Sequence, residues 1–519
     1  MWWSEENSFS QLPSSPQSAD DAFCIEEGEI AYYDFQKMDN LQKLEILKNA
    51  RKKVNWYNAI ERSVFLRELY PVLNHWNYEL PDLRDIFQKK DIEDLLKDAV
   101  YDKYNRYKGD QFIHFVASTD YKHEPDVDQN GKPLLKHTTA LHVAARSIPK
   151  RDHPYSYIKV SDLFKIYDRY DLNYTNVDGL THFHVACKFN CYDVVEKFLE
   201  LGQDPNCVWP ITGDSPLHVA VNAGHKKVVE LLLKNGADPN LANIYGSTPL
   251  HIICYSDDHY QIDFEDCNKG NNEYRKLAEL LFKINDEMQQ TVQVDALDKK
   301  GRTPLQRAVA HLKLELVDLL LDRGADLSSF VFPDKYDFCE CTERRKKSSI
   351  YFKLRLACDT LDVVERLKTR GYELKQSEVQ TIMADFDDRA MFGKSEDLEK
   401  CWHKDERFTW VTKIMMIKPN LSLYDVIRLR PEEAAKLLTY KDYFKFEYVD
   451  ERRYFPVCEF HPLEIMLRRF CRRRSVEPFM ELTRHRLPIL CCEMILNLLM
   501  NQDLCNVCLA SAVQSRYFM

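Results

Sequence analysis

Three groups of residues in this sequence have the types and spacing of chemical sites. His142, His184, His218 and His251 each follow a Ser or Thr by three positions, and Gln306 holds the same place after Thr303. Four imidazoles in register invite a metal reading. Glutamine can replace an imidazole as a hydrogen-bonding group but is a poor zinc ligand, so the property shared by all five positions is hydrogen bonding. Cys505-Asn-Val-Cys508 and Cys339-Glu-Cys341 bring thiols together, yet a zinc site usually takes four ligands and neither pair has a partner pair. Asp126-Val-Asp-Gln-Asn130-Gly131 opens like a calcium loop. Its twelfth position is His137, where a bidentate Glu is needed, and Pro133 interrupts it, so an Asp/Gly-rich hairpin explains these residues at least as well. The sequence carries no phosphate-cradling, dinucleotide, zinc-protease, serine-hydrolase or kinase motif, and 14 glycines leave little room for phosphate loops. The expectation is a protein without catalytic residues, metal or cofactor.

The elements that position the histidines recur. Residues 213–240 read GDSPLHVAVNAGHKKVVELLLKNGADPN. Ser215 can cap a helix, and Pro216 falls at its first position, where a missing N–H costs nothing. Leu217, Val219, Ala220 and Val221 give that short helix an apolar face. Gly224 turns the chain, and a second helix carries Val228, Val229, Leu231, Leu232 and Leu233. Gly236 stops it, as the favoured residue just past a helix end. Neither helix could bury its apolar face alone, so the unit requires copies stacked against it. The copies begin at Thr139, Thr181, Ser215, Thr248 and Thr303, with spacings of 34 and 33 residues in the middle of the series. The other two spacings are that period plus insertions.

Period, helix pair and turn together resemble the ankyrin-repeat family, whose period is about 33 residues. The resemblance implies that each histidine ties one turn to the next and that the turns protrude. By register, Asn176-Val177, Val208-Trp209, Asn243-Ile244-Tyr245 and Lys299-Lys300 stand at those turns. Trp209, Ile244 and Tyr245 are apolar or aromatic where solubility does not ask for it, which makes them candidate target-binding residues. Packing against the neighbouring turn is the alternative.

Bulk properties narrow the function. A chain of 519 residues is too long for one core and suits a solenoid with flanking domains. The net charge of −10 weighs against a general nucleic-acid binder, which needs a basic footprint. No run of about 18 apolar residues is present, so no membrane span is expected. The start of the chain is acidic and polar after Trp3, unlike a secretory signal, and the 16 cysteines are scattered, several of them in predicted helices. Reduced thiols in a cytoplasmic or nuclear protein follow as the expectation.

Flanking segments read as follows. Residues 1–30 are rich in Ser, Gln, Pro and Asp and are expected to be disordered. Amphipathic helices over 31–109 form either a cap on the exposed end of the solenoid or a separate ligand-binding domain. One starts near Leu41, one covers 60–69 before Pro71, and one covers 83–100. Ankyrin repeats occupy 110–328, with insertions near 146–156 and 255–273. Over 329–404 comes a degenerate terminal repeat, centred on 350–371, and a charged connector. A different helical region follows over 405–519, in which the basic cluster Arg468-Arg469 and Arg472–Arg474 is taken as a solvated helix face.

The end of that region, 487–504, resembles an F-box, whose usual form is L-P-x-E-L-x-x-x-I-L-x-x-L-x-x-x-D-L. Leu487, Pro488, Ile495, Leu496, Leu499, Asp503 and Leu504 match, while Leu490 stands where Glu is expected and Cys491 where Leu is usual. An F-box after ankyrin repeats, at the C-terminus, is the arrangement of the PRANC family of poxviral and arthropod proteins. The resemblance implies an all-α chain, an ankyrin solenoid followed by an F-box-like helical domain. It also implies that 487–504 docks onto the Skp-type adaptor of a cullin–RING ubiquitin ligase while the repeats hold a protein substrate. In that reading ubiquitin transfer belongs to other subunits. The alternative is a scaffold or inhibitor of a signalling protein that needs no ligase. The segment 487–504 separates the two.

Overall fold

The computed structural model describes residues 38–74, 76, 80–101, 106–147, 159–255, 267–334, 337, 352–392, 406–429, 431–443 and 455–517. The expected disordered start, Cys339, Cys341 and most of the two insertions lie outside the described residues. The chain divides into two compact units, 1–177 and 178–519, so the division falls inside the expected array.

In the first unit, α1 (Asn40–Lys53) starts at Asp39, whose carboxylate accepts from the Gln42 amide while Gln42 reaches back to the Asp39 N–H. Helix α2 (Ala59–Asn74) does not stop before Pro71 but runs through it. Pro71 lies in the last turn, where only one carbonyl loses its donor, and burial of Leu69, Tyr70 and Val72 holds the turn. The helix expected over 83–100 is broken. Leu83–Asp85 forms one 3₁₀ turn, and α3 (Lys89–Tyr101) begins separately. Asp91 causes the restart: it accepts the Gln88 N–H at 3.0 Å and the Arg51 Nε at 2.9 Å, serving as cap and ion pair together. Helix α4 (Arg106–Ser118) packs on α2 and α3 and spans position 110, where the array was expected to begin. A Cβ on Gly109 would sit 2.2 Å from the Ala99 carbonyl oxygen, so only glycine lets α3 and α4 approach this closely.

The stretch 126–134 is a hairpin, with Val127 paired to Pro133. The Asp128 carboxylate accepts the Asn130 and Lys132 amides, and Asp126 is paired with Lys89. Helices α5 (Ala140–Ser147) and α6 (Val160–Ile166) pack together as the helix pair of the first copy. One buried carboxylate joins these parts. Glu93 of α3 accepts from the Tyr167 hydroxyl at 2.6 Å. His123 Nδ1 lies 3.4 Å from it, Lys97 Nζ 3.5 Å and His137 Nε2 3.8 Å. Burial alone would raise the Glu93 pKa, but His137, Lys97, His123 and Tyr167 outweigh it and hold the carboxyl below its ordinary value.

The second unit opens with the helix pairs α7 (His182–Lys188) and α8 (Tyr192–Glu200), α9 (Pro216–Ala223) and α10 (Lys226–Lys234), α11 (Pro249–Tyr255) and α12 (Cys267–Glu287), then α13 (Pro304–Ala310) and α14 (Leu314–Asp322). First helices pack on first helices and second on second, so the apolar face of each pair is covered by the next. Leu217, Ala220, Val228, Val229, Leu232, Leu250, Leu305, Val309, Val317 and Leu320 form a dry core. Ion pairs bridge the second helices: Lys226–Glu273, Arg275–Glu315 and Arg323–Asp286. The turns between pairs also bond to one another, through the Ile244 N–H to the Thr212 carbonyl and the Lys299 N–H to the Tyr245 carbonyl.

Gly213 makes the first of those bonds possible. Its φ is +67°, and a Cβ there would lie 2.6 Å from the Ile244 nitrogen. Gly213→Ala is expected to cost at least about 2 kcal/mol, from the left-handed backbone and the clash together. Equilibrium urea unfolding checks it, and a loss under about 0.5 kcal/mol would contradict the close approach.

The expected degenerate repeat at 350–371 is not a helix pair. Residues Phe352–Thr369 form one unbroken helix, α15, which packs on α14 with Arg366 paired to Asp318. No glycine or proline divides it, so the apolar residues on both halves stay on one rod. Helix α16 (Gln376–Asp388) follows, then α17 (Glu406–Ile414). A two-stranded hairpin, Met416–Lys418 with Leu421–Ser422, is the one sheet among the described residues of an otherwise helical chain. Short helices α18 (Leu423–Arg428), α19 (Pro431–Leu437) and α20 (Tyr440–Tyr443) lead to the long α21 (Phe455–Leu482), then α22 (Ile489–Leu498) and α23 (Asn501–Tyr517). Helix α21 packs on α15 and α23, and α23 packs on α16. Cys505 and Cys508 are buried in that bundle with Cys471. Cys471 Sγ lies 3.8 Å from Met383 Sδ, and Cys508 Sγ lies 3.3 Å from Ser475 Oγ.

Candidate functional site

The histidine register is a hydrogen-bond ladder. At Thr181, Ser215 and Thr248 the hydroxyl caps the first helix and the histidine closes the loop behind it. Thr248 donates its N–H to His251 Nδ1 at 3.2 Å, and Ser215 does the same to His218. Because Nδ1 accepts, the proton sits on Nε2, which donates forward: His184 to the Asp214 carbonyl at 3.3 Å, His218 to Ser247 at 2.9 Å, and His251 to Arg302 at 3.0 Å. Gln306 repeats the pattern with amide atoms. Its Oε1 accepts the Thr303 N–H at 2.7 Å and its Nε2 donates to the Val331 carbonyl at 3.1 Å. A second proton on His218 or His251 would face a backbone N–H, and on His184 the Thr181 hydroxyl. Burial therefore lowers His184 and His251 to about 4 and lowers His218 as well.

The ladder holds the protruding turns rigid. Ile244 is 40% exposed and Tyr245 is 45% exposed at the tip of their turn. Trp209 lies differently. It is half-buried, and its indole Nε1 donates to the Asp178 carbonyl of the preceding turn at 3.0 Å, so it packs on that neighbour and braces one turn against the next while Ile211 takes the exposed tip. The next turn is built on Asp298, whose carboxylate accepts the Lys300 and Arg302 amides and pairs with Arg302 and Arg307. Burial would raise Asp298, but the Arg302 amide and the Arg307 and Arg302 guanidiniums prevail and hold it below its ordinary range. Lys299 and Lys300 remain exposed beside it.

At the C-terminal end, the seven motif residues of 487–504 do not share a face. Leu496 and Leu504 are buried against their own bundle, Leu487 and Leu499 are half-buried, and Pro488, Ile495 and Asp503 are exposed. The matching Ile495, Leu496 and Leu499 thus form no common stripe for a partner: Leu496 and Cys492 form the inner side of α22, and Asp503 accepts the Met500 N–H at the start of α23. The outer side is apolar too. Leu490 and Met494 are each 69% exposed and Leu498 is 86% exposed, with Ile489 and Met500 beside them. Leu490 had stood as a departure from the motif, yet its spacing of four to Met494 and eight to Leu498 was the sequence signal for this second face.

Arg468 fixes that helix. It donates to the Asn497 carbonyl at 2.7 Å and to the Leu499 carbonyl, satisfying orphan groups at the end of α22. The basic cluster is therefore not uniformly a solvated face: Arg468 is a cap, while Arg469 and Arg473 are exposed.

A family model for ankyrin repeats, three copies, matches residues 183–263, and a model for a single ankyrin repeat matches 300–329. The chain contains ankyrin repeats, in a mostly helical structure, and they imply a protein partner. No curated protein matches the chain. Among the described residues no helix is long and apolar enough to cross a membrane.

Proposed function

We propose that this protein is a non-enzymatic substrate receptor. Its ankyrin turns hold a protein target, and the region around α22 docks on a Skp-type adaptor, which links it to a cullin and the ubiquitin machinery of the cytoplasm or nucleus. The observation that carries this reading is the outer face of α22. Leu490, Met494 and Leu498 present an apolar stripe to water on a helix whose far side is packed and whose end is capped by Arg468. A rigid helix with one unpartnered apolar face suits insertion into a groove. The contact set is then Pro488, Leu490, Met494, Ile495 and Leu498, with Leu487, Leu499 and Asp503 at its rim. Leu496 and Leu504 support the helix from behind. Ile244 and Tyr245, with Trp209 bracing the turn beside them, are the proposed target contacts.

The burial of two motif residues favours a second reading, a scaffold that binds its target without a ligase. Capture of a purified Skp-type adaptor with its cullin decides between them. Wild type is expected to capture the adaptor, and Leu490→Asp/Leu498→Asp to weaken capture at least 100-fold. Each exposed leucine contributes about 1.5–3 kcal/mol when buried by a partner. Both side chains point to water, so the variant should keep its circular dichroism and melting profile. No capture by the wild type makes the ligase-independent scaffold the better account.

A further inference from the structure

The inner helices of the array leave little for a target to touch. In α11 even Tyr255 is 8% exposed, covered by the Arg307 guanidinium 5.4 Å above its ring and by His311 at its edge. Recognition therefore falls on the tips of the turns. Those tips are graded. Ile211, Ile244 and Tyr245 are apolar, and the next tip is Lys299-Lys300, with exposed Leu297 just before it in the same turn. The two lysines differ from the arginines beside them. Arg302 and Arg307 are engaged by Asp298 and Asp337, whereas Lys299 and Lys300 make no ion pair among the described residues. In a chain of net charge −10, two positive charges on a hydrogen-bonded turn, without an ion pair among the described residues and beside an apolar ridge, select by charge complementarity.

We propose that the turn tips bind a linear target segment that lays apolar side chains on Ile211, Ile244 and Tyr245 and sets carboxylates on Lys299 and Lys300. The tips are bonded to one another, Ile244 N–H to Thr212 and Lys299 N–H to Tyr245, so their backbone is spent and side chains do the reading. Adjacent packed helices lie about 8–10 Å apart, which sets the distance from one tip to the next. An extended segment covers that in roughly three residues. The target's acidic pair therefore lies about three positions from its apolar anchor. This specifies the target half of the proposed function and is independent of adaptor docking at α22.

The test is selection of a random 16-residue peptide display library on the full chain, in parallel with Lys299→Glu/Lys300→Glu. Wild type is expected to enrich peptides with an aromatic or branched apolar residue about three positions from two carboxylates. The reversed variant is expected to enrich Lys or Arg at those places. A synthetic wild-type winner should bind the reversed variant at least tenfold more weakly at low salt, with the gap narrowing in 0.5 M salt. It should also lose affinity for Ile244→Ser/Tyr245→Ser. Circular dichroism and adaptor capture serve as folding controls, since all four residues are exposed and distant in sequence from α22. The same winners from both proteins, winners without acidic residues, or no enrichment at all would overturn the proposal.

Discussion

Between pH 6.5 and 4 the repeat array is expected to lose roughly 3 kcal/mol of stability for each of His184 and His251. Both rings are buried, and both are lowered from 6.5 to about 4 in the fold. Above pH 6.5 the ring is neutral in folded and unfolded chains alike, so it contributes no pH dependence. Below 6.5 the unfolded chain takes up a proton that the folded chain refuses. Stability falls with pH until the folded ring itself titrates near 4. Two such groups give one of the steepest acid responses this chain can show, because a domain's whole margin is only about 5–15 kcal/mol. The ladder geometry supplies the control. Gln306 makes the same two bonds with amide atoms, so His251→Gln should stay within about 1 kcal/mol of wild type at pH 7.5 and be selectively less acid-sensitive. His251→Ala strands the Thr248 N–H and the Arg302 carbonyl and should cost about 2–3 kcal/mol at pH 7.5, a deficit against wild type that closes toward pH 4 because the variant also lacks the titrating ring. Urea unfolding at pH 7.5, 6, 5 and 4 measures all three proteins. If His251→Gln loses stability with pH as steeply as wild type, the neutral-ring assignment is wrong.

Glu93→Ala is expected to destabilise the first unit by about 3–5 kcal/mol, the range for removing one partner from a buried ionic network. The carboxylate is the shared acceptor of α3, the 119–137 connection and the end of α6, through Tyr167, His123, Lys97 and His137. Its loss leaves the buried Tyr167 hydroxyl without this acceptor and the half-buried Lys97 without its counter-charge. Glu93→Gln keeps an acceptor for Tyr167 and loses only the charge, so it should cost less. The pH sign follows from the two lowered pKa values. Glu93 contributes stability above its unfolded pKa, near 4.5, and that contribution is lost as pH falls through its lower folded value. His123 is lowered mainly by burial, so its part is lost from about pH 6.5 downward. Hydrogen exchange on the full chain reads the effect locally. Peptides over 89–101 and 160–174 should lose protection in Glu93→Ala while those over 216–234 keep theirs. Unchanged protection in the first unit would remove Glu93 from this role.

Much of the array was legible without coordinates. Ser215, Pro216, Gly224 and Gly236 act through their own backbone and nearest neighbours, and each does what its type dictates. The Gln306 substitution disclosed the chemistry of the histidines, because an exchange that keeps donor and acceptor but not ligation separates the two roles. The 350–371 segment was misread for the converse reason. Its apolar spacing suits two short helices or one long one, and only the absence of a turn residue near Cys358 argued for one.

The candidate contacts were less legible. In 489–500 nearly every residue is apolar, so the spacing marks two eligible faces and not which of them is inner. Packing of Cys492 and Leu496 on the bundle decided which leucines meet water. Trp209 carried the composition of an anchor, and one bond from its indole to Asp178 made it a brace.

The sequence by itself determined the repeating helix pair, its caps and its period, because those are set by residues a few positions apart. Tertiary structure alone decided what lies between distant segments. It brought Glu93 together with Tyr167 and His123, used Arg468 to cap carbonyls 29 and 31 residues further along the chain, and left the outer face of α22 uncovered. Burial and charge pairing are properties of neighbours in space, and residues with two eligible faces do not record in their order which face will be covered.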